Sequence, residues 1–122
     1  MHKRIVAIDD DPDILEALKI ILESEGYDIE TVVDSTYARD AVLRKKPSLV
    51  LLDIWMPNLD GTEVAKLLKD DIRTRSIPVI LLSANRNISR TADHVGATGY
   101  LSKPFNIEQL TTTVKKHIRS TH

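Results

Sequence analysis

The sequence predicts a doubly wound α/β domain, an open parallel sheet with helices on both faces. Three observations carry this. Short apolar runs alternate with helix-periodic segments along the whole chain, five times over. The central runs are continuously apolar, as in strands buried on both faces. Each run is followed by a helical segment able to serve as the crossover that parallel strands require.

The elements follow in order. Ile5-Val6-Ala7-Ile8 is the first strand. Ile14, Leu15, Leu18, Ile21 and Leu22 then recur at helical spacing, with Asp11 as N-cap, Pro12 in the first turn and Gly26 as the stop. Tyr27 to Val33 reads as a second strand of mixed character, suited to a sheet edge. Ser35 to about Lys45 reads as a helix with Ala38, Ala41 and Val42 inward, ended before Pro47. Leu49 to Leu52 is the third strand, followed by a loop from Asp53 to Gly61. Val64, Leu67 and Leu68 mark the third helix, and Pro78 to Leu82 the fourth strand. Arg86 to Val95 has a weaker helical pattern built on Ile88, Ala92 and Val95. Gly99 to Ser102 is a short fifth strand, and Ile107, Leu110, Val114 and Ile118 mark the last helix. Five parallel strands favour the flavodoxin-like order 2-1-3-4-5.

The chain has 122 residues, which suits one domain over 1–122. At 42% hydrophobic and 29% charged residues it can build a core and is not a disordered chain. Its net charge of -1, without a long basic run, gives no footprint for direct nucleic-acid binding. It has no cysteine, so disulfides and thiolate metal sites are excluded. No apolar stretch approaches the ~20 residues of a membrane span, and Met1 to Arg4 lead straight into the first strand without a signal-peptide core. The expectation is a cytoplasmic protein. The histidines, His2, His94, His117 and His122, lack ligand spacing and read as surface residues.

Sites in open α/β sheets form beyond the carboxyl ends of the strands, where the strand order reverses. Asp9-Asp10-Asp11 follow the first strand, Asp53 the third, Ser83-Ala84 the fourth and Lys103-Pro104 the fifth. Carboxylates gathered at one crevice repel one another unless a cation joins them. Oxygen-only ligands favour Mg2+ or Mn2+ over zinc or copper. Asp10 and Asp53 suffice as direct ligands, with Asp9 in support. Phosphoryl transfer spreads charge over three equatorial oxygens. The metal can meet one oxygen, the Lys103 ammonium another, and the Ser83 hydroxyl or a backbone N–H the third. Asp53, ending a central strand, is the candidate nucleophile, and an ionised carboxylate needs no general base.

These residues resemble a known family. Ile8-Asp9-Asp10-Asp11-Pro12, Leu51-Leu52-Asp53-Ile54-Trp55-Met56-Pro57, Asp60-Gly61, Leu82-Ser83-Ala84 and Gly96 to Phe105 are similar, in order and over essentially the whole chain, to receiver domains of two-component response regulators. Each motif alone is weak; the five in order are specific. The resemblance implies a (βα)5 fold and phosphoryl transfer to Asp53 from a phosphohistidine. The donor would be a sensor histidine kinase or histidine phosphotransfer protein. By position, Asp9 and Asp10 match the acidic pair that holds Mg2+, and the Trp55 backbone carbonyl a further ligand. Ser83 matches the switch hydroxyl, Lys103 the family's lysine, Tyr100 the switch aromatic, and Lys103-Pro104 a cis peptide bond. The implied response is a two-state shift. Ser83 moves toward the phosphoryl group, Tyr100 turns inward, and the surface of the fourth helix, fifth strand and fifth helix changes.

The implied output is a downstream protein target or an output domain, from a monomer or a phosphorylation-linked dimer, with no enzymatic activity beyond its own phosphorylation and dephosphorylation. Two rivals compete. A haloacid-dehalogenase-like phosphohydrolase would use Asp9 as nucleophile, since Asp9-Asp10-Asp11 satisfies an Asp-x-Asp start. Only Glu108 follows Lys103 as an acidic residue, and it sits inside the last helix. A phosphorylation-independent interaction module usually loses part of the acidic site, which is complete here.

Overall fold

The computed structural model describes residues 3–55 and 60–118. Met56 and Pro57 of the second motif, and His2 and His122, lie outside the described residues. The elements run β1 (Arg4–Ile8), α1 (Pro12–Ser24), β2 (Asp28–Val32), a 3-10 turn (Ser35–Tyr37), α2 (Ala38–Lys45), β3 (Leu49–Asp53), α3 (Gly61–Asp70), β4 (Val79–Ser83), α4 (Ile88–Val95), β5 (Gly99–Ser102) and α5 (Ile107–His117). The strands form one parallel sheet in the order β2-β1-β3-β4-β5, as the alternation predicts. Among the described residues, no helix is long and apolar enough to cross a membrane.

Burial explains the strand sequences. Every residue of β3 and β4 is buried, whereas β2, at the edge, buries only Val32 fully. Alternate side chains serve two cores. Val6, Ile8, Val50, Leu52, Val79 and Leu81 pack with α2, α3 and α4 on one face. Ile5, Ala7, Leu49, Leu51, Ile80 and Leu82 pack with α1 and α5 on the other.

Helix ends follow local chemistry. The Asp11 side chain accepts from the backbone N–H of Asp13 and Pro12 opens α1, as expected. The helix stops at Ser24, and Gly26, at φ 93°, turns the chain into β2. The segment from Ser35 begins as a 3-10 turn, because Asp34 accepts from Thr36 N–H and tightens the start; the α-helix proper begins at Ala38. Arg86 is likewise outside α4, which starts at Ile88 after the Asn85 side chain accepts from Asn87 N–H. Leu67 and Ile107 were expected inward but are exposed, so the apolar stripes of α3 and α5 are narrower than their sequences imply. His117 departs from the surface expectation: its ring is half-buried against Gly99, where an added Cβ would lie 3.1 Å from its Nε2. Burial, and then the charge of Lys116, holds its pKa below the usual imidazole value.

The loop between α3 and β4 is closed by side chains. The buried Thr74 hydroxyl donates to the Leu68 carbonyl at 2.5 Å, satisfying an oxygen in the last turn of α3. The Lys69 ammonium donates to the carbonyls of Arg75 and Ile77. Asp71 receives Arg39 from α2 and Arg73 from its own loop, and these hydrogen bonds hold its carboxyl well below the usual range. Replacing Thr74 with Val keeps the shape and strands the Leu68 carbonyl. Urea unfolding of Thr74→Val is expected to give a loss of about 1–2 kcal/mol; an unchanged midpoint would contradict this role.

Candidate functional site

Strand register brings the polar residues together. Ile8 pairs with Leu52, so Asp9 and Asp53 leave adjacent strands at the same level. Asp53 pairs with Leu82, so Ser83 stands one residue beyond that level, and Ser83 pairs with Ser102, so Lys103 stands two beyond it. The long Lys103 side chain reaches back across this stair to the acidic residues.

Asp9 is fully buried. Its Oδ1 accepts from Asp11 N–H at 3.0 Å, and its Oδ2 accepts from the Lys103 ammonium at 2.8 Å. The same ammonium is 3.6 Å from Asp53 Oδ2, so in this state Lys103 belongs first to Asp9. Asp53 is buried and its Oδ1 accepts from Trp55 N–H at 3.2 Å. Asp10 is exposed at the rim. One carboxylate oxygen from each of Asp9, Asp10 and Asp53 lies within 4.8 Å of the others, so the expected acidic trio does converge. Three carboxylates at this spacing fit a hard divalent cation, and the exposed rim position of Asp10 leaves one side open to solvent.

Asp53 is electrostatically distinct. Burial first, and then the neighbouring Asp9 charge, push its pKa from 3.8 up to about 6; the Trp55 N–H and Lys103 oppose the rise without cancelling it.

Ser83 is buried, and its Oγ accepts from Asn85 N–H at 2.9 Å, so the hydroxyl keeps its own hydrogen to donate. Its carbonyl accepts from Lys103 N–H at 2.8 Å, tying the ends of β4 and β5 together. Lys103-Pro104 is cis, as the resemblance implies. Trp55 and Tyr100 are 67% and 45% exposed, although the Trp55 backbone N–H reaches Asp53.

Gly61 positions the end of β3. Gly61 is buried at the start of α3, and its N–H donates to Ile54 O. A Cβ there would run into the Asp53 carbonyl oxygen and the Ile54 Cα. The Asp60-Gly61 pair is the available signal: Asp60 caps α3 by accepting from Thr62 N–H, and Gly61 lets that first turn touch the strand end. Beside the cluster, Lys103 and Ala84 help wall an apolar groove of about 390 Å³ with Ile14, Ala17, Ile21 and Phe105.

A 2-1-3-4-5 sheet with carboxylates converging at the ends of β1 and β3 defines a flavodoxin-like fold with an acidic edge site. The chain belongs to the response regulator receiver domain family, whose model matches residues 5–115. It is 38% identical over 120 residues to the DNA-binding dual master transcriptional regulator RpaA of Synechocystis, covering 97% of this chain and 50% of that protein. The chain thus spans about half the length of the curated relatives it matches. The chemotaxis protein CheY4 of Vibrio cholerae superposes with a TM-score of 0.90 at 27% identity, covering 97% of this chain and all of that one. The receiver domain of the sensor histidine kinase PA1611 from Pseudomonas aeruginosa, solved with magnesium coordinated in its active-site cleft, gives 0.87 at 25% identity, covering 96% and 98%.

The raised pKa of Asp53 has a testable sign. The folded protein binds this proton more tightly than the unfolded chain, so the contribution is full below the unfolded value of 3.8 and lost as pH rises through about 6. Complete burial would make this roughly 3 kcal/mol, and solvent screening reduces it to about 1–2 kcal/mol. In metal-free buffer, Asp53→Asn should match the wild type in urea unfolding near about pH 4 and exceed it by that amount near about pH 7. Parallel profiles would refute the assigned ionisation cost.

Proposed function

We propose that the chain is a phosphorylation switch, a single receiver domain over 1–122 in which Asp53 accepts a phosphoryl group from a histidine donor. The observation that carries this is the convergence of Asp9, Asp10 and Asp53 within 4.8 Å, with Lys103 ion-paired to Asp9 and close to Asp53. An ionised Asp53 oxygen attacks phosphorus, the N–P bond to the donor imidazole breaks, and the departing nitrogen keeps the electron pair. Lys103, drawn from Asp9 toward the developing negative charge, holds one phosphoryl oxygen. Ser83 can donate its free hydroxyl hydrogen to another. The protein acts as a switch and turns over no separate substrate.

Asp10, Asp53 and the Trp55 carbonyl would hold Mg2+, with Mn2+ a substitute and Asp9 in support. The ion would neutralise the converging carboxylates and the phosphoryl oxygens. Asp9 and Asp10 would keep that ion beside the acceptor, and a cation there would lower the raised pKa of Asp53.

The apolar groove beside Lys103 supplies a docking surface for the donor, a sensor histidine kinase or histidine phosphotransfer protein. An apolar helix face laid along Ile14, Ala17, Ile21 and Phe105 would bring a histidine to the rim of the acidic site. Downstream, Ser83 leaving Asn85 frees space for the exposed Tyr100 to turn inward and reshape α4, β5 and α5. The target is a protein or an output domain, reached from a cytoplasmic monomer or phosphorylation-linked dimer. The half-length match to DNA-binding regulators supports an output domain as reader, with no nucleic acid bound by this domain itself.

Incubation with a small phosphoryl donor and Mg2+ should add one phosphoryl group by intact mass, and Asp53→Asn should add none. Loss of the adduct in Asp9→Asn but not Asp53→Asn would favour the phosphohydrolase reading instead. Trp55 sits two residues from the acceptor, so Mg2+ should change its fluorescence with saturation. A flat titration of folded protein would count against a metal held here.

A further inference from the structure

We propose that the groove between α3 and α4 binds a compact polyanion carrying two linked phosphoryl groups. This site is separate from the acidic cluster and does not depend on the acceptor chemistry. The groove holds about 510 Å³ and is lined by Thr62, Lys66, Arg90, Thr91, His94 and Val95. That volume is within the range of small-molecule sites.

Helical periodicity builds it. Residues four apart share one helix face about 6 Å along the axis. Thr62 and Lys66 therefore line up on α3, and Arg90 and His94 on α4, facing one another across the cleft. None of Lys66, Arg90 and His94 forms an ion pair or side-chain hydrogen bond among the described residues. Among the described residues Arg39, Arg44, Arg73, Lys103 and Lys115 have carboxylate partners, and Lys66 and Arg90 do not. Glu63 and Asp70 on α3 and Asp93 on α4 do not line the groove, and the nearby Asp60 carboxylate lies at its edge, where it accepts from the Thr62 hydroxyl. Lys66 and Arg90 have no ion-pair partner here, and a bound anion would supply one. Arg90 offers a planar fork for phosphate oxygens and Lys66 a mobile point charge.

The shape selects the ligand class. One helical turn on each side accommodates one compact anion and is too short for an extended strand of peptide. No aromatic side chain lines the walls, so a nucleobase has no stacking platform. The Thr62 and Thr91 hydroxyls already donate to Asp60 and to the Asn87 carbonyl, so binding rests on the nitrogens. A smaller cleft of about 170 Å³ shares Thr62 and Thr91 and extends to Trp55 and Asn85, which places the ligand next to the mouth of the acidic site.

The test is an amide-resolved NMR titration with inorganic pyrophosphate in metal-free buffer. Saturable shifts centred on Lys66, Arg90 and His94 are expected, weakened about tenfold or more in Lys66→Gln/Arg90→Gln. These two side chains are exposed, and unchanged spectra elsewhere would confirm that the variant is folded. A parallel titration with ADP identifies the source. Tighter saturation by ADP than by pyrophosphate assigns a nucleotide as the source, and equal or weaker saturation by ADP assigns the free diphosphate anion. Absence of saturable shifts, a footprint centred on Asp9, Asp53 and Lys103, or equal affinity in the double variant would overturn the proposal.

Discussion

The ion pair between Lys103 and the buried Asp9 organises the edge of the sheet. Its two partners are 94 residues apart in sequence and come from the ends of β1 and β5, with β3 and β4 between them. A carboxylate buried without a partner would be strongly disfavoured. The pair therefore requires the register that lays the strand ends in a stair, and the buried apolar strands that fix that register. Asp53 sits under this bridge, near enough to feel both the Asp9 charge and the Lys103 charge.

The resting site is consequently internally opposed. Burial and Asp9 disfavour the Asp53 charge, while Lys103 and the Trp55 N–H favour it, and the balance falls on the raised side. In the proposed function this balance is useful. A cation or phosphoryl group resolves the opposition, so the site has a larger energetic response to either than an exposed carboxylate would have. Lys103 can respond because a single ammonium already lies 2.8 Å from one carboxylate and 3.6 Å from the other.

Much of this was legible in the sequence. Continuous apolar runs such as Leu49 to Leu52 carry their own burial, and the residues following them had to converge once the strand order was set. Asp9, Asp10 and Asp53 do meet. The preference of Lys103 for Asp9 was not legible, because it depends on a difference of less than one ångström between two acceptors. The half-burial of His117 was equally hidden, since it arises from the missing side chain at Gly99 on another element. The exposure of Leu67 and Ile107 shows the limit of periodicity: it identifies a stripe of candidate positions but not how wide a neighbour the stripe meets. The late starts of α2 and α4 came from Asp34 and Asn85, whose side chains compete for local N–H groups.

Gly61 gives the strand that ends at Asp53 a rigid mechanical neighbour. With no side chain between them, the first turn of α3 rests directly on the backbone of Asp53 and Ile54. A displacement of the strand end is thus transmitted to a helix axis without passing through a rotatable side chain. The same contact constrains protein engineering: a transplanted loop between β3 and α3 must deliver a glycine at the helix start, whatever its length, or Asp53 is levered out of line.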